Sequence, residues 1–428
     1  MDEIARRPRP HSSGPIRHGR LHTPSPVGAV VKGLAIVVAV ALVSVGTVAA
    51  YAVTSVTSNF SANAVDISGG TGAPAAPPLL GAFEGGFNLM VVGTDNDPNQ
   101  GTSFGERDAT LNDVNILLHV SADHKNAVVV SFPRDLVIAH PECKDPSTGA
   151  TYDAMSAQPL NTAWGRGGLA CVTATISNLT GLNIQYAAAT SFNGVIEMTN
   201  AVGGVPVCLV EPITDADSGL DLPAGTSVIE GQMALAFLRN RHGVGDGSDL
   251  SRIASQQQYL SSLIRTMKSA NTLTDITKLY GLAQAASQNI VPSKSLASPD
   301  AMVSLALTLK DVNLNNIVFV QYPAAAWSVD PNKVAPVQST ADALFASILA
   351  DQPFTLPDDA TGTGSTLVTP APTDPAAAPT ETTAPTTDPN ATTPATTAPT
   401  SEATAPEVIS GLKGQTAEQQ TCANAFSG

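Results

Sequence analysis

The sequence predicts an α/β fold: an α/β/α sandwich around a mixed central sheet, preceded by one transmembrane helix and followed by a disordered tail. Three observations predict it. Short Val- and Ile-rich runs alternate with amphipathic stretches through the middle of the chain. One apolar run long enough to span a membrane, residues 33–53, stands near the N-terminus. A Thr/Ala/Pro stretch near the C-terminus lacks core-forming side chains. The 428 residues carry a formal net charge of −15, which argues against a nucleic-acid binder, because such a protein needs a basic face to release counterions.

The elements follow in order. Residues 1–32 form a basic arm with Arg6, Arg7, Arg9, Arg17, Arg20 and Lys32 against Asp2 and Glu3, a net of +4 that leaves −19 for the rest. Gly33 to Val53 are 21 residues without a charge, about 31 Å as a helix. The basic flank places the N-terminus in the cytoplasm and the rest outside, as a single-pass type II protein of the cell membrane. A cleaved signal peptide is the rival reading; the long arm and full-length span favour a retained anchor. Residues 54–84 read as an extracellular stalk and 85–357 as the globular domain. Residues 358–408 read as a disordered linker; in polyproline form it is long enough to thread a cell wall, but a solvated tail with no partner is the plainer reading. Residues 409–428 are a short terminal segment with Cys422.

Four cysteines, Cys143, Cys171, Cys208 and Cys422, suit an oxidising exterior. They allow three connectivities; Cys143 and Cys171 flank a Gly- and Ser-containing insertion and are the first pair to consider. No Cys or His spacing matches a zinc site.

Within the domain, strands are expected at 88–93, 114–120, 126–132, 205–210 and 315–322. Helices are expected at 168–181, 191–204, 231–240, 249–269, 274–287 and 341–351, the first two ending at glycine. Polar clusters stand at the strand ends, where α/β sites usually form: Gly93 to Asp97, Arg107-Asp108 with Asn112-Asp113, and Ser131 to Asp135. A fourth cluster runs from Arg239 through Arg241, His242 and Asp249 to Arg252 and Gln256.

The arginines matter because the body is acidic. Arg239, Arg241 and Arg252 fall within 14 positions, and a guanidinium fork suits phosphate oxygens. Arg252 and Gln256 share a helical face, and Ser248 or Asp249 would cap that helix. Surface salt bridges are the plainer reading for any single arginine. Asp95 and Asp113 end and begin adjacent strands, so two oxygen ligands could meet there with substrate phosphate around magnesium, or another divalent cation. Loop capping would explain the same aspartates. Residues 95–106 look superficially like a calcium loop, but the glycine is misplaced and no helix precedes it. No nucleophile elbow or P-loop occurs; His119 reads as packed in a strand.

Taken in order, NLMVVGTD, the Asn-Asp before NILLHV, SFPRD, PLNTAWGRGG, NAVGGVPV, LDLPAG with EGQMALAFLRNRH, and GDGSDLSRIASQQQ resemble the LytR-CpsA-Psr family of cell-envelope enzymes. The resemblance implies an α/β/α fold with a lipid-phosphate pocket, and transfer of a glycopolymer from a polyprenyl-pyrophosphate carrier onto a peptidoglycan acceptor beside membrane lipid. It implies that Asp95 and Asp113 hold magnesium, that Arg134, Arg239, Arg241, Arg252 and Gln256 hold the pyrophosphate, and that Asp95, Arg107 and Arg134 act catalytically. Pyrophosphatase activity could accompany transfer, with Asp95 or Asp97 taking the acceptor's proton. Two departures stand out: Leu111-Asn112-Asp113 where the family often has Arg-Ser-Asp or Arg-Thr-Asp, with Arg107 in the preceding loop as a candidate for the missing charge, and Ser255 where Arg-Gln-Gln is usual. A non-catalytic polyprenyl-phosphate-binding protein that anchors or regulates the wall is the alternative.

Overall fold

A computed structural model describes residues 30–40, 62–68, 84–96, 104–105, 109–269, 275–368 and 406–427, and the isolated positions 27, 44, 58 and 272. The chain divides into two units, Met1–Thr54 and Ser55–Gly428. In the first, residues 30–40 are helical and exposed. Most of the expected span beyond Val40 lies outside the described residues, as do nearly all of the arm and most of the stalk. Among the described residues no helix is long and apolar enough to cross a membrane.

The second unit is built on β1 (Phe87–Thr94), β2 (Asn112–Val120), β3 (Ala127–Phe132), α1 (Trp164–Thr180), β4 (Tyr186–Thr190), α2 (Phe192–Val202), β5 (Val205–Leu209) and β6 (Gly225–Ile229). It continues with α3 (Gly231–Arg239), α4 (Asp249–Ser269), α5 (Ile276–Asn289), β7 (Ile290–Pro292), α6 (Pro299–Lys310), β8 (Ile317–Gln321) and α7 (Gln338–Leu349). The last strands are β9 (Ser365–Leu367), β10 (Gly414–Thr416) and β11 (Thr421–Ala423).

Seven strands form a mixed sheet in the order β7-β4-β1-β2-β3-β8-β10. The β1–β4 and β3–β8 pairs are parallel; the others are antiparallel. Alternation within each strand makes two cores. Met90, Val92, Leu117, Val130 and Phe132 face α1 and α7 through Leu169, Ile176, Leu344 and Phe345. Phe132, Tyr322 and Phe345 stack in that layer, with centroids 5.1 and 6.4 Å from Phe132. Leu89, Ile116, Leu118 and Phe319 face the other way, toward α6 and α4 through Ala301, Leu260 and Ile264. Helices on both faces give the expected three layers around a mixed sheet.

A second sheet, β6-β5-β11-β9, joins distant parts of the chain. Disulfides link Cys143 to Cys171 and Cys208 to Cys422, the latter tying β5 to β11. Gln258 of α4 donates from its amide to the carbonyls of Cys208 and Thr421, each at 2.7 Å.

Three expected boundaries move. Residues 358–368, assigned to the linker, are folded and include β9. Residues 406–427 are part of the domain: β10 is an edge strand of the main sheet and β11 lies inside the second. Apolar positions spaced by polar ones made this segment look like a tail, yet Leu412, Ala417, Cys422 and Ala423 are buried. In the expected stalk, Val65 exchanges backbone hydrogen bonds with Pro292 and Lys294, and Val65 and Ile67 pack on the core. The Thr/Ala/Pro stretch proper, 369–405, lies outside the described residues.

His140, the last residue of the short strand Val137–His140, is 1% exposed. Burial, with the Arg166 cation nearby, lowers its pKa from 6.5 to about 4. The unfolded chain therefore takes up a proton between pH 6.5 and 4 that the folded chain refuses, so stability is full above about pH 6.5 and falls below it. Urea unfolding should show a loss of about 2–3 kcal/mol between pH 7 and 4.5 from this residue. His140→Leu should remove that part of the slope; an unchanged slope in the variant would refute the assignment.

Candidate functional site

The site forms where the ends of β1, β2 and β3 meet the C-terminus of α3 and the N-terminus of α4. At Gly93 a Cβ would lie 2.8 Å from the Cβ of Val114, so the strands approach as closely as they do only with glycine there. Immediately after, the register shifts: Gly93 pairs with Val114 but Thr94 with Asn112. Asp113 is the extra residue of this β-bulge, a device that re-aims a side chain next to a site.

Asp113 turns into a cavity of about 200 Å³ that Arg134, Arg239, Arg241, Arg252 and Gln256 also line. Its Oδ2 accepts from Arg134 Nη1 at 2.9 Å, while its buried Oδ1 has no hydrogen-bond partner among the described residues. Arg134 follows β3 and Pro133. Its Nε lies 3.4 Å from Asp135 and 3.9 Å from Asp249. Burial disfavours the Arg134 cation, but Asp113, Asp249 and Asp135 outweigh burial and raise its pKa.

Arg252, in the first turn of α4, is 5% exposed. It pairs with Asp249 at 2.5 Å and donates to the Asp113 carbonyl at 2.8 Å. Ser248 Oγ caps α4 by accepting from Ser251 N–H at 3.3 Å. Asp249 is spent instead on Arg134 and Arg252, so the pocket's positive potential comes from guanidinium groups rather than open helix amides. Gln256, one turn on, donates to the Leu238 carbonyl at 3.1 Å and so ties α4 to α3.

Arg239 ends α3. Its guanidinium carbon stands 4.4 Å from the Phe192 ring centroid and 5.8 Å from that of Phe104. The two rings meet edge to face at 5.3 Å. Stacking holds a cation in place without neutralising it. Arg241 differs from Arg134. Among the described residues no carboxylate lies within ion-pairing distance of it, and its buried Nε has no hydrogen-bond partner. Burial first, then repulsion by Arg134 and Arg252, lowers its pKa against the weaker pull of Asp249 and Asp135. A half-buried cation crowded by two others is a seat for an anion.

A second cavity of about 200 Å³ adjoins the first, sharing Asp113, Phe192, Arg239 and Gln256. Val91, Ile116, Val195, Leu235, Leu238 and Leu260 make its wall apolar. It runs between the sheet and helices α2, α3 and α4. An anion seat opening onto an apolar channel fits an amphipathic ligand with a charged head.

Six of the eight expected site residues thus converge. Asp95 does not line the pocket: it is 2% exposed, and its Oδ1 accepts from Leu111 N–H at 2.8 Å, latching the ends of β1 and β2. Arg107 and Asp97 lie outside the described residues. His242 is exposed beside Asp217, 3.9 Å away, and His119 is packed, bonding Asn88 and Asp351. Sequence reasoning left out Phe104 and Phe192, and gave Asp135 and Asp249 no ionic role. The helix-cap pattern around Asp249 hid its part as a counter-ion.

The chain matches the model of the LytR_cpsA_psr family over residues 47–346, well over half its length. It belongs to the LytR-CpsA-Psr family. Over 273 residues it is 29% identical to the cell wall biosynthesis protein LcpA of Corynebacterium glutamicum, covering 57% of this chain and 51% of that protein. The chain therefore spans about half of that relative's length. It is 24% identical over 245 residues to TagT of Bacillus subtilis, named a polyisoprenyl-teichoic acid–peptidoglycan teichoic acid transferase, covering 56% and 70%. A solved LytR-Csp2A-Psr enzyme from Actinomyces oris superposes with a TM-score of 0.49 at 20% identity, covering 67% and 94% of the two chains.

The fit of a divalent cation here rests on Asp113: among the described residues its buried Oδ1 has no hydrogen-bond partner, whereas Asp95 Oδ1 is taken by Leu111 N–H. Among the described residues no group of three or more His, Cys, Asp or Glu could hold a metal alone, so substrate oxygens would complete the coordination.

Proposed function

We propose that this protein is a phosphotransferase that moves a glycopolymer from a polyprenyl-pyrophosphate carrier onto peptidoglycan, outside the membrane to which residues 33–53 anchor it. The observation that carries the reading is the arginine pocket opening directly onto an apolar channel. The pyrophosphate sits among Arg134, Arg239, Arg241 and Arg252, and the first isoprene units enter the channel. The names of LcpA and TagT agree with work on the cell wall. Two disulfides agree with an oxidising exterior.

An acceptor hydroxyl oxygen attacks the sugar-proximal phosphorus. The bond from that phosphorus to the bridging oxygen breaks, polyprenyl phosphate departs, and the hydroxyl proton passes to a carboxylate at the β1–β2 ends. Such chemistry needs positioning and charge neutralisation more than a protein nucleophile. Arg241 and Arg252 meet the developing charge; Arg239, stacked on Phe192, keeps the pocket positive. Asp113, which lines the pocket, would hold magnesium together with substrate oxygens; the metal would neutralise phosphate charge when bound.

The chain from Ser55 to Gly428, which keeps both disulfides, should release polyprenyl phosphate from a polyprenyl-pyrophosphate-linked saccharide when magnesium is present. Asp113→Ala should lower the rate by about 10²-fold or more and weaken the magnesium dependence. Tight binding of the lipid with no release under any condition would replace this reading with that of a lipid-binding wall-anchoring protein.

A further inference from the structure

The loop that carries Arg241, residues 240–248, leads straight into α4 and so into Asp249, Arg252 and Gln256. Within the loop, Val244 N–H donates to Arg241 O at 3.5 Å and Gly247 N–H to Val244 O at 3.0 Å. Asn240 Oδ1 accepts from Gly243 N–H at 2.9 Å, Asp246 Oδ1 accepts from Ser248 N–H and Ser251 Oγ–H, and Asp246 N–H donates to Ser251 Oγ. A second set of backbone bonds comes from the far end of the chain. Gly245 N–H donates to Asn424 O at 3.1 Å, Phe426 N–H to Gly243 O at 3.0 Å and Ser427 N–H to Gly245 O at 3.1 Å. Val244 and Ala425 form an antiparallel bridge, with Val244 fully buried and Ala425 packed on the same apolar cluster.

The fit is close. A Cβ on Gly247 would lie 3.3 Å from the Phe426 ring, and one on Gly245 would lie 2.7 Å from the backbone of Gly364. Both glycines have positive φ, 55° at Gly245 and 76° at Gly247. Asn424 N–H in turn donates to Gly364 O at 2.9 Å. Two residues upstream, Cys422 is fixed to Cys208. The strap thus begins at a covalent anchor and ends on the arginine loop.

We infer that residues 424–427 are a positioning strap for Arg241: by pairing with the loop, and held by the Cys208–Cys422 bond, they set the affinity of the pocket for the pyrophosphate of its substrate. This rests on the reading of the pocket given above. Peptide pairing of this kind removes alternative loop conformers before the ligand arrives, which strengthens binding without touching the ligand. Removing the disulfide, as in Cys208→Ser, Cys422→Ser, should loosen the strap and weaken pyrophosphate binding in the same direction as the truncation.

Two measurements on the chain from Ser55 test it, using a truncation that ends at Ala423 and the milder Phe426→Ala. The first is amide hydrogen exchange. Protection at Gly245 should fall by roughly tenfold or more in the truncated chain and by less in Phe426→Ala, while β3 stays protected. Unchanged exchange at Gly245 would overturn the inference whatever the pocket binds. The second is calorimetric titration with inorganic pyrophosphate. Truncation should weaken binding by roughly tenfold, and Arg241→Ala should then add little, whereas Phe192→Ala, which acts through Arg239, should still add its full effect. An undiminished Arg241→Ala effect in the truncated chain would show that the strap does not work through Arg241. Loss of Gly245 protection with no pyrophosphate binding by the full chain would leave the strap standing and remove the pocket reading instead.

Discussion

Replacing Arg241 with alanine should lower transfer by about 10²- to 10³-fold and leave the protein as stable as before, or more so. Arg241 has no carboxylate within ion-pairing distance among the described residues, and Arg134 and Arg252 repel it. Removing it relieves that repulsion in the folded state and deletes a donor needed only when phosphate is present. Arg134 should behave in the opposite way. Its guanidinium is the counter-ion of Asp113 and lies beside Asp135 and Asp249, which keep Lys333 and Arg252, so Arg134→Ala strands the largely buried Asp113. Breaking a buried pair from one side typically costs about 3–5 kcal/mol. Urea unfolding beside a transfer assay separates the two variants. A destabilised Arg241→Ala with normal transfer would mean the arginine is structural and the pocket misassigned.

The second large effect is on stability. In the chain-entropy account, a bond across the 214-residue separation of Cys208 and Cys422 is worth about 5 kcal/mol, against about 3.5 kcal/mol for the 28-residue separation of Cys143 and Cys171. The Cys208→Ser, Cys422→Ser double variant should therefore lose more in denaturant unfolding than the Cys143→Ser, Cys171→Ser one. The first bond also holds β11 between β5 and β9, so its loss releases strand pairing as well as chain entropy. Equal losses, or a larger one for the shorter loop, would show that local packing rather than loop length governs both bonds.

Much of this was legible in the sequence, for physical reasons that differ by element. The Val-rich strands β1, β2 and β3 read as short, nearly continuous apolar runs because both faces of the sheet are covered by helices. The arginine cluster stood out because the rest of the body is acidic. The strand β4 was missed: Tyr186–Thr190 is largely alanine, a helix former, and only tertiary packing between two layers makes it a strand. Helix α6 was missed too, although Ser298 caps it by accepting from Ala301 N–H and Pro299 opens it. The bulge at Asp113 has no sequence signature. Its consequence, an aspartate turned toward Arg134, appears only in the register of two paired strands.

The anchored C-terminus also changes what the Thr/Ala/Pro stretch can be. Both of its ends are fastened: Val368 N–H donates to Gln420 O, and Glu407 pairs beside Phe354. Residues 369–405 therefore connect two fixed points of the domain in the chain rather than lead to a free end. A protease that cuts there leaves two pieces still joined by sulfur, one band on a gel until reductant is added and two afterwards.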